Sequence, residues 1–259
     1  MGNQREATSL IIIPTYNEAD NLEPMVEAVL ALGLDTDILV IDDNSPDGTG
    51  EIADRLAAAI PSVKVMHRPG KLGLGTAYVA GFRYALERDY EYVFEMDCDF
   101  SHDPAYLPAF LEKVRTYDLV IGSRYVAGGG TVNWSWLRKA ISGGGNLFAR
   151  TVLGLPVRDC TAGYKCFRRA VLQAIDWSQV RLQGYAFQIA TVYYTHRLGF
   201  RIAEIPIIFE DRRVGQSKMS KRIVAEALLY VVQTRLGELR GRRVTRRTAP
   251  APSEQPVLR

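Results

Sequence analysis

The sequence predicts an α/β fold: a doubly wound, mostly parallel sheet with helices on both faces, followed by a C-terminal helix and a disordered basic tail. Three observations carry that expectation. Short apolar runs alternate with amphipathic stretches of helical length through the first half of the chain. The runs are apolar almost throughout, as in strands that a parallel sheet buries on both faces. Acidic and turn-forming clusters follow the runs, and ligands of such sheets gather at the carboxyl ends of the strands.

In order, LIIIP (10–14) reads as a buried strand and NLEPMVEAVLAL (21–32) as a helix. DILVID (37–42), GEIADRLAAAI (50–60) and VKVMH (63–67) continue as strand, helix, strand. After a glycine-rich turn, TAYVAGFRYALERD (76–89) is helical and YVFEMD (92–97) a strand; PAYLPAFLEKV (104–114) is helical and DLVIGS (118–123) a strand. This strict alternation is the signature of a parallel sheet. Less regular segments follow: a glycine-rich loop (127–130), a helix near 137–153, the irregular stretch DCTAGYKCF (159–167), a helix near 185–198, the strand RIAEIPIIFE (201–210) and a last helix over 220–240. RRVTRRTAPAPSEQPVLR at the end is basic and then proline-rich, which reads as disorder. The expected division is one domain over 1–240 and a tail over 241–259.

At 259 residues the chain can bury a full core, and a net charge of +3 excludes nucleic-acid binding by bulk electrostatics. Cys98, Cys160 and Cys166 form no CxxC pair and read as reduced thiols of a cytoplasmic protein. The start, MGNQREATSL, has no signal-peptide apolar stretch. The best candidate for a membrane span, IVAEALLYVV (223–232), is short and interrupted by Glu226. Any encounter with a membrane is therefore expected from its surface.

The densest chemical signal is Asp97-Cys98-Asp99, directly behind YVFEM. Alternate residues can turn toward one point as a chain leaves a sheet. Two hard carboxylates there suit Mg²⁺ or Mn²⁺, which take one or two protein carboxylates plus substrate phosphate oxygens. Alone, the pair reads first as a helix cap and a solvated acid. Its neighbours change that reading. The first strand ends in Pro14-Thr15-Tyr16-Asn17-Glu18, and the second in Asp42-Asp43-Asn44-Ser45-Pro46-Asp47-Gly48-Thr49.

Together these segments resemble the nucleotide-sugar-binding half of glycosyltransferase family 2, with its GT-A fold. Lys71-Leu72-Gly73-Leu74-Gly75-Thr76-Ala77-Tyr78, Gly122-Ser123-Arg124-Tyr125 and Gly215-Gln216-Ser217-Lys218-Met219 follow in the order of polyprenol-phosphate (dolichyl-phosphate) mannosyltransferases, a likeness spanning roughly residues 8–235. The resemblance implies inverting, metal-dependent transfer of mannose from GDP-mannose to a polyprenyl (dolichyl) monophosphate. Carried over by position, Pro14, Tyr16, Glu18, Ile41 and Asp43 line the guanosine site, with Asp42 beside them. Asp97, Cys98 and Asp99 meet the diphosphate and an Mg²⁺ or Mn²⁺ ion, and Arg124, Arg138, Arg212 and Lys218 meet phosphates. Asp99, Arg124, Arg212 and Lys218 are the expected catalytic set. Ser101 is a minor third metal candidate, standing where some relatives carry a glutamine, and Ser142-Gly143-Gly144-Gly145-Asn146 replaces a segment that often includes an arginine. Gly163-Tyr164-Lys165, after Asp159, faces the acceptor or the sugar, or is an ordinary turn.

Elementary chemistry agrees with this inventory. A phosphate monoester has a second pKa of about 6 and is anionic at neutral pH, so it needs little help from a base. The difficulty is bringing a monophosphate to a diphosphate, which a metal and Arg or Lys clamps relieve. Two alternatives stay open: UDP-glucose as donor to the same lipid, and a non-catalytic nucleotide-sugar-binding subunit. A polyprenyl chain stays in the bilayer, so the expected location is peripheral, on the cytoplasmic face of a membrane. The apolar stretch 223–232 and the arginines behind it would meet an anionic membrane surface. A separate membrane-anchoring protein is a further candidate partner.

Overall fold

The structure, a computed structural model, describes residues 8–177, 180, 182–211 and 221–246. Its first half alternates strand and helix as expected: β1 (Ser9–Thr15), α1 (Ala19–Leu30), β2 (Thr36–Asp42), α2 (Thr49–Ala59), β3 (Val63–His67), α3 (Leu74–Glu87), β4 (Tyr92–Glu95), a 3₁₀ turn (Pro104–Tyr106) running into α4 (Leu107–Val114), and β5 (Leu119–Ser123). Then follow β6 (Gly130–Val132), α5 (Trp136–Leu153), β7 (Lys165–Arg168), α6 (Arg169–Ala174), α7 (Gly184–Arg197), β8 (Ile202–Pro206), β9 (Ile208–Glu210) and α8 (Lys221–Leu239).

The main sheet has seven strands in the order β3-β2-β1-β4-β7-β5-β8. β7 alone runs antiparallel to its neighbours. Alternating residues of a strand point to opposite faces, and here both faces are covered. Leu10, Ile12, Leu39 and Ile41 enter the core beneath α3 and α7, whereas Ile11, Ile13, Ile38 and Val40 enter the core beneath α1, α2 and α4. That double burial is why the runs read as continuous apolar stretches. The strand order reverses between β1 and β4, which opens a crevice beyond their carboxyl ends.

Three segments differ from expectation. The run 201–210 divides between two sheets: β8 forms the edge of the main sheet, and β9 pairs with β6. Ile207 makes the crossing, donating to the Ser123 carbonyl at 3.1 Å while its own carbonyl accepts from the Gly130 N–H at 3.0 Å. Within 159–167, expected to be irregular, β7 begins at Lys165. Beyond α8 the chain turns at Gly241, whose φ is 84°. Residues 242–246 then lie against the domain instead of leaving it: Val244 packs on the core, and Arg246 donates to the Leu198 carbonyl at 3.4 Å. The rest of the basic tail, 247–259, lies outside the described residues.

Candidate active site

The ends of β1, β2 and β4 form one cleft, lined by Pro14, Tyr16, Glu18, Asp43, Lys71, Asp97, Cys98 and Asp99 among others. Each strand end turns through a left-handed residue: Asn17 (φ 60°), Asn44 (φ 56°) and Phe100 (φ 60°). Asparagine tolerates that conformation, whereas a phenylalanine there is strained and held by its surroundings. The Asn-Ser-Pro-Asp-Gly turn scaffolds the first strand end. The Asn17 N–H donates to Ser45 Oγ at 3.1 Å, the Glu18 N–H to Thr49 Oγ1 at 3.0 Å, and the Ala19 N–H to Asp47 Oδ2 at 3.1 Å. Burial tends to raise the Asp47 carboxyl, yet hydrogen bonds from Thr49 and Ala19 outweigh it and hold the group below its ordinary value.

Two expected nucleoside residues are not at the cleft. Ile41 is fully buried in the core, its side chain committed by strand parity to the α3 face. Asp42 is buried inside its own turn, where its carboxylate accepts from the Ser45 N–H at 3.2 Å and from Ser45 Oγ at 2.5 Å. Both act by shaping the site.

Asp97 and Asp99 both line the cleft, as the alternate spacing requires. Asp99 is buried, and its Oδ1 accepts from the Ser101 N–H at 3.1 Å and Ser101 Oγ at 2.5 Å. Ser101, expected as a minor ligand, is thus a holder of Asp99. Asp97 is more open, with Tyr78 donating to its Oδ1 at 3.3 Å. Burial, and after it the charge of Asp97, keeps the Tyr78 phenol well above its ordinary pKa and therefore a donor. The Asp97 N–H donates to His102 Nδ1 at 2.9 Å, which fixes the turn from below. Cys98 sends its side chain into the core, and burial followed by the charge of Glu18 pushes its thiol up, away from the thiolate a metal would need.

Asp43 has a partner that was not among the expected site residues. Arg68 grips both its oxygens, Nε to Oδ1 at 2.5 Å and Nη2 to Oδ2 at 2.7 Å, with both residues buried. The same guanidinium reaches Thr76 Oγ1 at 2.8 Å and the Gly73 carbonyl at 3.3 Å, tying β2 to the glycine-rich turn. Lys71 of that turn stands 4.2 Å over the Tyr16 ring. Gln183, ahead of α7, receives the Gly75 N–H at 3.1 Å, and a Cβ at Gly75 would collide with the Leu182 carbonyl. That close approach accounts for the glycine.

The expected phosphate-binding arginines lie on β5 and α5. Arg124 is buried with Asp159, Nε to Oδ2 and Nη2 to Oδ1 at 2.7 Å each, and Nη2 also reaches Thr161 Oγ1 at 2.8 Å. Burial alone would lower its pKa; the Asp159 charge reverses this and raises it, while Arg124 in turn holds Asp159 below its ordinary value against burial. Arg124 is therefore largely committed to positioning the 159–161 loop. Arg138 pairs with Asp211 at 2.5 Å and lies 4.1 Å over the Trp134 ring. Arg212 and Lys218 lie outside the described residues. Asn146 clamps the same loop, accepting from the Cys160 N–H at 2.9 Å and donating to Thr161 Oγ1 at 2.9 Å. Tyr164 and Lys165 of the Gly163-Tyr164-Lys165 segment are fully buried. Burial pushes the Tyr185 phenol up, Arg124 and Arg138 pull it down, and Asp97 pushes it up again.

The family model described as glycosyl transferase family 2 matches residues 10–176, the span that contains every lining acid. The chain belongs to glycosyltransferase family 2. A protein named undecaprenyl-phosphate mannosyltransferase from Micrococcus luteus is 52% identical over 224 residues, 86% of this chain and 92% of that one. Polyprenol monophosphomannose synthase from Mycolicibacterium smegmatis is 47% identical over 239 residues, 90% of each chain. Among solved structures, glucosyl-3-phosphoglycerate synthase from Mycobacterium tuberculosis with Mn²⁺ and UDP-glucose superposes with a TM-score of 0.63 at 20% identity, covering 89% of this glycosyltransferase and 79% of that chain. The mannosyltransferase PcManGT from Pyrobaculum calidifontis, in complex with GDP-Man and Mn²⁺, gives a TM-score of 0.54 at 15% identity, covering 92% and 75%. At these identities the two structures establish the fold, which is the GT-A type expected.

Proposed function

We propose that this glycosyltransferase moves mannose from GDP-mannose to a polyprenyl monophosphate with inversion, using Mg²⁺ or Mn²⁺. The observation that carries the reading is the cleft itself, with Asp97 and Asp99 at one strand end beside Tyr16, Glu18, Asp43 and Lys71. The names of the relatives at 52% and 47% identity support the sugar and the lipid acceptor. Among the described residues no cluster of three or more His, Cys, Asp or Glu could hold a metal alone. A pair of carboxylates fits an ion that completes its coordination from substrate oxygens. Asp97 and Asp99 would hold it, and when bound it offsets charge on the leaving diphosphate. Tyr16, Glu18 and Asp43 lie where the nucleoside would sit. Arg68 occupies two of the roughly four lone-pair directions of the Asp43 carboxylate, which leaves acceptors for the ring N–H and amino group of guanine. Lys71, which lines the cleft, and Arg138, outside its lining, would meet phosphates, and Arg212 and Lys218 are proposed for the same role.

In the displacement an oxygen of the acceptor phosphate attacks the anomeric carbon, and the bond from that carbon to the diphosphate breaks. No protein nucleophile intervenes, and the anomeric configuration inverts. The test is turnover of GDP-mannose and UDP-glucose with a short polyprenyl phosphate, with Mn²⁺ and with chelator. Mannose transfer that chelator abolishes is the expected result. Glucose transfer of equal efficiency would replace the donor assignment, and no turnover with tight nucleotide binding would favour a binding subunit.

The enzyme would work from the cytoplasmic surface of an anionic membrane. Among the described residues no helix is long and apolar enough to cross one. α5 and α8 pack together and expose Trp136, Leu137, Leu147, Leu229, Val232 and Leu239.

A further inference from the structure

Arg124 and Arg138 flank the same indole, 5.5 Å and 4.1 Å from the Trp134 ring, but their charges are met differently. Arg124 has a two-pronged, fully buried carboxylate partner. Arg138 has a one-pronged partner at the surface: Nη1 donates to Asp211 Oδ2 at 2.5 Å, with the two side chains 18% and 31% exposed. Its Nε is buried and has no hydrogen-bond partner among the described residues. A guanidinium presents five donors in a rigid fork that matches carboxylates and phosphates two at a time. One donor of this fork is therefore unused among the described residues. The stack on Trp134 keeps it from swinging out to water.

We propose that Asp211 is an internal stand-in for the acceptor phosphate, holding Arg138 ready and giving up its place when a phosphate monoester arrives. This rests on the reading of the acceptor as a lipid monophosphate. The carboxylate brings one charge and offers Arg138 one oxygen. A phosphate monoester brings between one and two charges near neutral pH and three oxygens that can take Nε and an Nη together. The exchange favours phosphate, yet each binding event must first break an existing ion pair. Asp211 thereby weakens acceptor binding while leaving the donor side alone, since neither Arg138 nor Asp211 lines the donor cleft.

Asp211→Asn removes the competing charge and keeps the shape. Calorimetry with inorganic phosphate and steady-state kinetics with a short polyprenyl monophosphate should both show affinity rising about two- to fivefold, the equivalent of one partly exposed ion pair. GDP binding should not move, and Asp211→Glu should stay near wild type. Adding Arg138→Gln should erase the gain, which separates exchange at Arg138 from a general change in surface charge. Acceptor KM that is unchanged or higher in a variant with a normal melting curve overturns the proposal, as does an equal shift in donor KM. A gain for inorganic phosphate without one for the lipid phosphate also overturns it, making the pair a free-anion site. Should the wild type turn over no polyprenyl phosphate at all, the function reading fails, while phosphate calorimetry still decides whether Asp211 and anions compete for Arg138.

Discussion

Asp99 joins two properties that seldom coincide, burial and a place in the cleft wall. An asparagine keeps one oxygen for the two bonds from Ser101 but loses the charge. Asp99→Asn is therefore expected to cut transfer by about 100-fold or more while costing no more than about 1 kcal/mol of stability. Paired kinetics and melting curves check this; retained specific activity in an unstable variant would make Asp99 structural. Arg68 makes the opposite expectation. Arg68→Met strands a buried carboxylate and unties Gly73 and Thr76, so about 3–5 kcal/mol of stability should go, together with donor affinity. Denaturant titration and GDP calorimetry measure both, and a stable variant that binds GDP normally refutes the role. The two residues also show what is legible in a sequence. Asp97 and Asp99 announce themselves because a strand end brings neighbours in sequence to one point. Arg68 partners Asp43 from the end of the next strand, 25 positions on, and nothing local distinguishes it from a surface arginine. Ile41 and Asp42 sit beside a true lining residue in sequence, yet strand parity and a tight turn send their side chains elsewhere.

Among elements, β7 is the one composition conceals. Its four residues, Lys-Cys-Phe-Arg, offer no apolar run, and two charges argue against a central strand. The fold tolerates the lysine by setting it opposite Glu95 in the antiparallel register. Lys165 Nζ stands 3.8 Å from Glu95 Oε2, both fully buried, and donates to the Gln188 carbonyl at 3.1 Å and Thr191 Oγ1 at 2.8 Å. Among the described residues neither Glu95 oxygen has a hydrogen bond of good geometry; Lys165 is the main group that favours its charge, and the Gln188 side chain adds to it. Burial pushes the Glu95 carboxyl up from 4.5 to about 7, with Lys165 offsetting only part of this, and burial likewise lowers Lys165. Lys165→Met removes the offset, so the folded-state pKa of Glu95 climbs further. A carboxyl raised on folding contributes stability that is complete below its unfolded value of about 4.5 and lost as pH rises through the folded one. The variant should therefore lie closest to wild type near pH 5 and fall away through pH 8, by about 3–5 kcal/mol at the limit. Adding Glu95→Gln should recover most of that. Denaturant titrations at both pH values decide it, and a deficit independent of pH, or a double variant as unstable as the single, would remove the ion pair from the account.

The whole molecule carries an asymmetry that no single element shows. α8 buries Ala227 and Val231 inward yet stays apolar outward, with Leu239 69% exposed, and Trp136 at the head of α5 is 79% exposed. Leu228, Leu229, Val232 and Leu236 on its outer side add to that exposed apolar area. The α5 segment, WLRKAISGGGNLFARTVL, contains no acid at all, and Lys139, Arg240, Arg242 and Arg243 are exposed around the two helices. The acid nearest these arginines, Glu238, is already engaged by Arg197, Arg235 and Tyr193. Apolar area ringed by exposed cations suits the boundary of an anionic bilayer. The sequence pointed to the α8 half of this surface and to the tail, but not to α5, whose apolar residues look like core until the fold leaves them outside. Two contributions with different salt responses follow. Burying Trp136 and Leu229 is worth several kcal/mol at about 25 cal/mol per Å² and ignores salt, whereas the arginines contribute about 1 kcal/mol each near the surface and fade as screening grows. Trp136→Ser with Leu229→Ser should thus lower vesicle binding by at least about tenfold at every salt concentration. A chain ending at Gly241 should lose chiefly the salt-sensitive part, with both still turning over a short acceptor in detergent. If both variants sediment with acidic vesicles as the full chain does, this face is not the anchor, and another surface of the chain holds it to the bilayer.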